Sequence, residues 1–150
     1  MKKLETTVFW ISILLFIASL TQPAFYTSAS EPDGWANSIG LVLVGWSGAL
    51  AGGAGIAWFA NPLILVGWIY IFKRAKIAML SGLFATAFAV SFLFFKNIMT
   101  DEAGNYSIIT HREAGYWLWL ASIIFFTIGA IYIYYSKKQL NKSSTEPIKL

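Results

Sequence analysis

Four stretches of this chain contain no acidic or basic residue, and they constrain its fold more than any other feature. They cover residues 6–30, 34–72, 77–95 and 114–136, which together are 106 of the 150 residues. A helix that crosses a bilayer needs roughly 20 consecutive apolar residues. Charged residues make up 12% of the chain, about half the share of about 25% found in soluble domains. The sequence therefore predicts a multi-pass helical membrane protein.

The first stretch has two interpretations. A pair of lysines precedes the apolar segment 8–20, and residues 27–29 resemble a signal-peptidase site, an outline typical of a cleaved secretory signal. Against cleavage, the uncharged run continues to Ser30, and Gln22-Pro23 is typical of a helix that ends at the membrane surface. We expect the first helix to be retained, with a cleaved signal as the alternative.

The second stretch, residues 34–72, is 39 residues long and must be broken. One straight helix of that length would extend about 58 Å, about twice the hydrocarbon thickness of a bilayer. The stretch either crosses the membrane twice, which gives five spans in all, or crosses once. In the second case a further segment enters and leaves on the same side, and the total is four.

The distribution of lysine and arginine favours four spans, because cytoplasmic loops carry an excess of these residues. With four spans and both termini inside, nine of the eleven basic residues lie inside, and only Lys96 and Arg112 lie outside. The best five-span arrangement places seven inside and four outside. We therefore predict four spans, with five as the alternative. Five of the seven acids then also lie outside: Glu31, Asp33, Asp101, Glu102 and Glu113.

The predicted fold is all-α, a polytopic bundle in the inner (plasma) membrane with cytoplasmic termini. A short helix at about 38–51 is predicted to be re-entrant or interfacial, because its 14 residues are too few to cross comfortably. Residues 137–150 form a basic tail that we expect to be disordered. The four spans cover about 6–22, 55–73, 77–95 and 114–136, within a single domain of residues 1–136.

Glycines mark the end of the short helix. The run from Gly52 through Gly53 to Gly55 permits a tight reversal, and irregular backbone within a bilayer must be covered by protein or water. If the segment re-enters the membrane, other helices should cover this turn, and its glycines are candidate pore-lining residues. Gly48 and Gly52 are also four residues apart, a spacing that lets two helix backbones approach closely. Close packing of helices is therefore the simpler explanation for these glycines.

Asn61 and Pro62 lie within the second predicted span. Proline removes one backbone donor and displaces the carbonyl of Trp58, which predicts a kink. The amide of Asn61 should face other helices and not lipid. The amide either donates a hydrogen bond to the carbonyl that the proline leaves without a donor, or it contacts a substrate at the kink.

The third predicted span carries two rows of small residues at four-residue spacing. Such rows favour close helix packing, either within the chain or at a homodimer face. The rows are Ala78, Gly82 and Thr86, and Ser81, Ala85 and Ala89.

The chain has few side chains suited to catalysis, proton transfer or metal binding. The predicted spans contain no Asp, Glu, Lys, Arg or His, whereas proton-coupled transporters use ionisable groups in the membrane. His111 is the single histidine and cysteine is absent, so neither a zinc site nor a thiolate nucleophile is expected. Glycine-rich nucleotide motifs, the serine-hydrolase motif and nucleic-acid-reading motifs are also missing. We expect no catalytic residue, cofactor, metal or nucleic-acid partner.

Two short motifs carry a resemblance. Residues 58–62 read Trp-Phe-Ala-Asn-Pro and lead into an apolar helix that ends in basic residues. Residues 115–122 read Gly-Tyr-Trp-Leu-Trp-Leu-Ala-Ser and open the last span. Over residues 50–135 the chain resembles small multi-pass inner-membrane proteins of bacteria that have no assigned activity. The resemblance implies a bacterial inner membrane and transfers no catalytic residue.

Two functions from different classes remain. The first is a non-catalytic membrane protein that acts by contact with lipid or another membrane protein, as an accessory subunit or in an immunity-type role. The polar loop 96–113 is its best candidate contact surface. The alternative is a small homo-oligomeric channel or facilitator for a neutral or apolar solute, which would be lined by the glycine turn and by Asn61 and Pro62.

Overall fold

The computed structural model describes residues 1–28, 37–100 and 104–145. Most of this chain is helical. A 3-10 segment, Gly53–Phe59, leads directly into α3, and a shorter one, Phe92–Phe94, ends α4. The five α-helices are α1 (Lys2–Leu20), α2 (Ser38–Ala51), α3 (Ala60–Tyr70), α4 (Ala75–Ser91) and α5 (Ala114–Thr145).

Four helical units are long and apolar enough to cross a membrane, which confirms the predicted number of such helices. α2 is apolar, but its 14 residues are too few to span the hydrocarbon layer. The five-span alternative, which needs a second crossing in this region, is therefore not favoured. The four units are Lys2–Leu20, Gly53–Tyr70, Ala75–Phe94 and Ala114–Ser143.

The long helices approach one another most closely at glycines. A Cβ atom on Gly82 of α4 would lie 2.8 Å from the Thr127 hydroxyl of α5, and one on Gly67 of α3 would lie 2.7 Å from the Phe126 ring. The absence of a side chain at these positions lets α3 and α4 pack on the fully buried Phe126. Small residues therefore determine the helix separation, as expected for helices that associate without a strong hydrophobic driving force.

A buried hydrogen-bond cluster joins three helices. The hydroxyl of Ser122 donates to the Ser12 carbonyl over 3.0 Å, and the Ser12 hydroxyl lies 3.2 Å from the Ser122 carbonyl. The indole N–H of Trp68 donates to the Ser12 hydroxyl over 3.0 Å. Both serines are fully buried. Small polar side chains thus hold α1, α3 and α5 together and are themselves satisfied, as buried polar groups must be.

A small antiparallel sheet covers one end of the bundle, where α1 and α4 end and α5 begins. We call this the sheet end, and the opposite end the basic end. The strand order is β1-β3-β2. The all-α prediction therefore describes the spans and misses this sheet. The strands are β1 (Phe25–Thr27), β2 (Asn97–Met99) and β3 (Tyr106–Arg112).

Nine of the fourteen residues that were expected to form a disordered tail, residues 137–145, are helical. α5 continues without interruption through the lysines to Thr145, because no glycine or proline interrupts residues 137–145 and Lys137 pairs with Glu5 of α1 over 2.7 Å. Residues 146–150 lie outside the described part of the chain. So do four of the acids that were assigned to the outer side: Glu31, Asp33, Asp101 and Glu102.

Candidate functional site

The glycine-rich turn joins α2 to the 3-10 segment as a tight hairpin. Gly52 and Gly53 have φ angles of 86° and 59°, a region that residues with a Cβ atom rarely adopt. A side chain at Gly55 would collide with the carbonyl of Gly48. The missing side chain at Gly55 therefore lets the two arms of the hairpin touch at the Gly48 backbone, whereas a Cβ atom on Gly48 itself would meet no described atom within 4 Å. The contact is between these arms and not between long helices.

A tryptophan fixes the hairpin further along. The indole N–H of Trp58 donates to the carbonyl of Val42 over 3.1 Å. The ring lies against Gly45, where an added Cβ atom would come within 2.7 Å of it. The start of α2 is held at the sheet end by the Ser38 hydroxyl, which donates to the Gln22 carbonyl over 2.7 Å.

The hairpin lies at the sheet end and is largely uncovered. The 3-10 segment packs beside β2 and the end of α4, while only Ser38 and Ala49 of α2 are buried. Gly53 is exposed, and a Cβ atom at Gly52 or Gly53 would meet no described atom within 4 Å. The condition that we set for a re-entrant segment, a turn covered by other helices, is therefore not met.

Asn61 and Pro62 face in opposite directions. Asn61 is only 7% exposed, and its Oδ1 accepts a hydrogen bond from the Trp119 indole over 2.9 Å. Pro62 is exposed and lies in the first turn of α3, where a missing N–H costs little. The break in this span is the change from 3-10 to α geometry after Phe59. Within one chain, the two residues therefore do not line a common space.

The small residues proposed for helix packing on α4 are turned into the chain's own core. Gly82 faces Thr127 of α5, whose hydroxyl lies 2.9 Å from that of Thr86. These rows are thus turned towards the chain's own helices and are not available as a homodimer face. The buried ones are Ala78, Ser81, Gly82, Ala85 and Ala89.

Arg112, at the end of β3, closes the sheet end. Its Nη2 lies 2.9 to 3.2 Å from the carbonyls of Phe92, Leu93 and Phe95, which are among the last carbonyls of the α4 unit. Its guanidinium also lies 5.4 Å from the centre of the Phe92 ring. A cation at a helix C-terminus satisfies unpaired carbonyls and complements the helix dipole. No pattern in the sequence predicts that Arg112 binds these carbonyls.

The outward face of β3 is the part of the 96–113 loop with features of a contact surface. Side chains alternate along the strand, so that Ser107 and Ile109 face the bundle while Tyr106 and Ile108 remain 61% and 58% exposed. The backbone is fixed by the Ser28 N–H, which donates to the Ile108 carbonyl over 2.9 Å. His111 is exposed on the same strand.

One buried ion pair was not predicted. Glu5 was assigned to the residues before the first span, yet it lies within α1 and its side chain is only 4% exposed. It pairs with Lys137 of α5, whose side chain is 34% exposed. No spacing rule relates positions 132 residues apart, so this pair requires the folded bundle.

Nothing in the described chain points to a metal centre: among residues 1–28, 37–100 and 104–145, no three His, Asp or Glu side chains form a group suited to a metal ion. No family model matches the chain, and neither the curated proteins nor the solved structures contain a match. The function must therefore be inferred from the residues of the chain themselves.

Proposed function

We propose that this chain is a non-catalytic plasma-membrane protein that acts by contact with another membrane protein, as an accessory subunit or an immunity-type partner. The sheet end lies outside and the basic end lies in the cytoplasm. The charge distribution supports this orientation: among the described residues, Lys96 and Arg112 lie at the sheet end and the other eight basic residues at the opposite end. Cytoplasmic segments of membrane proteins carry such an excess.

The observation that carries the proposal is the exposed apolar face of the sheet. Tyr106 and Ile108 project from a strand that is paired on both sides, by β1 and by β2. Aromatic and aliphatic side chains on a fixed backbone lose little conformational freedom on binding, and tyrosine is enriched in protein interfaces. This face lies beyond the ends of the helices, so lipid does not account for it.

In-cell photocrosslinking tests the proposal. A photoreactive amino acid at Ile108 should give a discrete covalent adduct with a second, different protein. The matched control is Ile69 of α3, which is similarly exposed but lies within the helical unit Gly53–Tyr70, which is long enough to span the membrane, and it should give none. If Ile108 gives no protein adduct, the proposed contact is wrong. An adduct of two copies of this chain would replace the heterologous partner by a homo-oligomer.

A further inference from the structure

Six exposed basic side chains surround the basic end of the bundle, and we call them the basic belt. They come from three separate parts of the sequence. Within residues 1–28, 37–100 and 104–145 none of them forms an ion pair, since Glu5, the one acid at this end, is paired with Lys137. The members of the basic belt are Lys2, Lys3, Lys73, Arg74, Lys76 and Lys138. The fold therefore gathers positive charge that no described acid neutralises.

All four spans contribute to the basic belt. Lys2 and Lys3 lie in the first turn of α1, and Lys76 lies in the first turn of α4. Lys73 follows the end of α3, and Lys138 belongs to α5. A docked protein would cover one side of the bundle, whereas lipid surrounds every side. The distribution of the belt over four spans therefore favours lipid as its partner.

The lengths of the helices place the belt at the level of the lipid headgroups. α1 has 19 residues, which extend about 28 Å, close to the hydrocarbon thickness of about 30 Å. Only residues 71–74 separate α3 from α4, so Lys73 and Arg74 cannot reach far beyond the membrane surface. On α5, Tyr135 is exposed less than one turn before Lys138, and tyrosine is enriched where a span meets the headgroups.

The sheet end has no comparable group among the described residues. Its Lys and Arg side chains there are Lys96 and Arg112, and the guanidinium of Arg112 is bound to carbonyls at the end of the α4 unit. Lys96 is exposed, and Glu113 lies at the same end. An attraction for negatively charged lipid is therefore expected in one leaflet and not in the other.

We propose that the basic belt gathers anionic phospholipids of the cytoplasmic leaflet into a shell around the bundle. A lysine or arginine beside an anionic lipid surface strengthens the association about fivefold, the equivalent of about 1 kcal/mol. A zwitterionic lipid occupies the same positions without complementing the charge. The proposal shares the membrane orientation of the proposed function but not its external contact, and its test below needs no partner protein. A negative result would thus leave the contact through β3 untouched.

Electron paramagnetic resonance of spin-labelled lipids tests the proposal in phosphatidylcholine vesicles that contain the purified full chain. Lipids in direct contact with the protein give a motionally restricted signal. This signal should favour labelled phosphatidylglycerol over labelled phosphatidylcholine about threefold, the mean of an about fivefold preference in one leaflet and none in the other. Both leaflets contain both labelled lipids, so the orientation of the protein in the vesicle does not matter. Equal contact with the two lipids would overturn the proposal and would favour an acidic protein as the partner of the belt.

Two variants of the five lysines separate charge from side-chain shape. Replacement of all five by glutamine should reduce the preference for phosphatidylglycerol to less than about 1.5-fold, because one cation of the belt remains. Replacement of the same five by arginine keeps the charge and should keep the preference. Both variants should melt as the parent does, since the five side chains are exposed. A glutamine variant that retains the preference of the parent would overturn the proposal. The glutamine variant carries Lys2→Gln, Lys3→Gln, Lys73→Gln, Lys76→Gln and Lys138→Gln.

Two further measurements do not require the multiple variants to fold. An increase in salt from about 0.1 M to about 1 M shortens the screening length from about 10 Å to about 3 Å and should remove the preference of the parent. Lys96→Gln removes the exposed lysine of the sheet end and should leave the preference unchanged. A preference that survives the higher salt, or one that Lys96→Gln abolishes, would show that the basic belt is not its source.

Discussion

At the sheet end backbone hydrogen bonds and the Arg112 side chain close the bundle, whereas at the basic end side-chain contacts between α1 and α5 do. The N–H of Gly115 donates to the Pro23 carbonyl over 2.9 Å, and that of Glu113 donates to the Ala24 carbonyl over 2.8 Å. At the basic end, the contacts between α1 and α5 include the Val8–Gly129 approach and one ion pair. Backbone cannot move aside as a side chain can, so the sheet end should tolerate substitution less well.

The largest difference in the loss of stability is expected between alanine substitutions at two glycines of α5. A Cβ atom on Gly115 would lie 2.6 Å from the backbone carbonyls of Gln22 and Pro23. Gly115→Ala should therefore lower the free energy of unfolding by about 3 kcal/mol, at the upper end of the usual cost of overpacking. The atoms nearest to a Cβ on Gly129 belong to the Val8 side chain and not to backbone, so Gly129→Ala should cost about 1 kcal/mol. Unfolding titrations of both purified variants measure the difference, and equal losses would abolish the contrast between the two ends.

Arg112 gives the next largest effect. Arg112→Gln removes the guanidinium from three carbonyls, and hydrogen bonds that involve a charged group contribute about 1.5–3 kcal/mol. We expect a loss of about 2 kcal/mol in unfolding free energy, together with faster amide exchange in β3. Lys96→Gln is the matched control, because it makes the same charge change at an exposed position of the same end. If both variants melt alike, Arg112 does not close this end.

The ion pair at the basic end should contribute less. Lys137→Gln leaves Glu5 buried without its cation, but the pair lies at a helix end and Lys137 is partly exposed. The expected loss is about 1 kcal/mol, well below the 3–5 kcal/mol of a fully buried pair. Lys138→Gln removes the same charge one residue further along α5 and should hardly change the free energy of unfolding. A loss for Lys137→Gln as large as that for Arg112→Gln would show that the two ends are held equally.

The spans were predictable because the bilayer imposes a length on them. Uncharged runs of the right length each produced one helix, and only the 34–72 run needed a second argument. The small-residue rows of α4 predicted a buried face from spacing alone. Their partners were not predictable, since Thr127 and Phe126 of α5 reach that face only through the tertiary fold.

The sheet was missed for a different reason. β1 and β2 are three residues each, too short to show a period, and they exist because β3 lies between them. β3 itself alternates buried and exposed side chains from Tyr106 to Ile109, but no alternation of polar and apolar residues marks it in the sequence, because the exposed positions hold Tyr106 and Ile108 and a buried one holds Ser107. Arg112 and Glu5 acquire their roles through partners on other elements, which no local pattern encodes.

The central claim is that four spans place the sheet end outside and the basic end inside, and cysteine labelling tests it most directly. The chain has no native cysteine, so single cysteines report without interference. Thr110, Lys76 and Ser143 are exposed in the structure. In intact cells, a membrane-impermeant thiol reagent should label Thr110→Cys, and it should label Lys76→Cys and Ser143→Cys only after the membrane is opened. Labelling of Lys76→Cys in intact cells would contradict the account, because it would require residues 34–72 to cross the membrane twice.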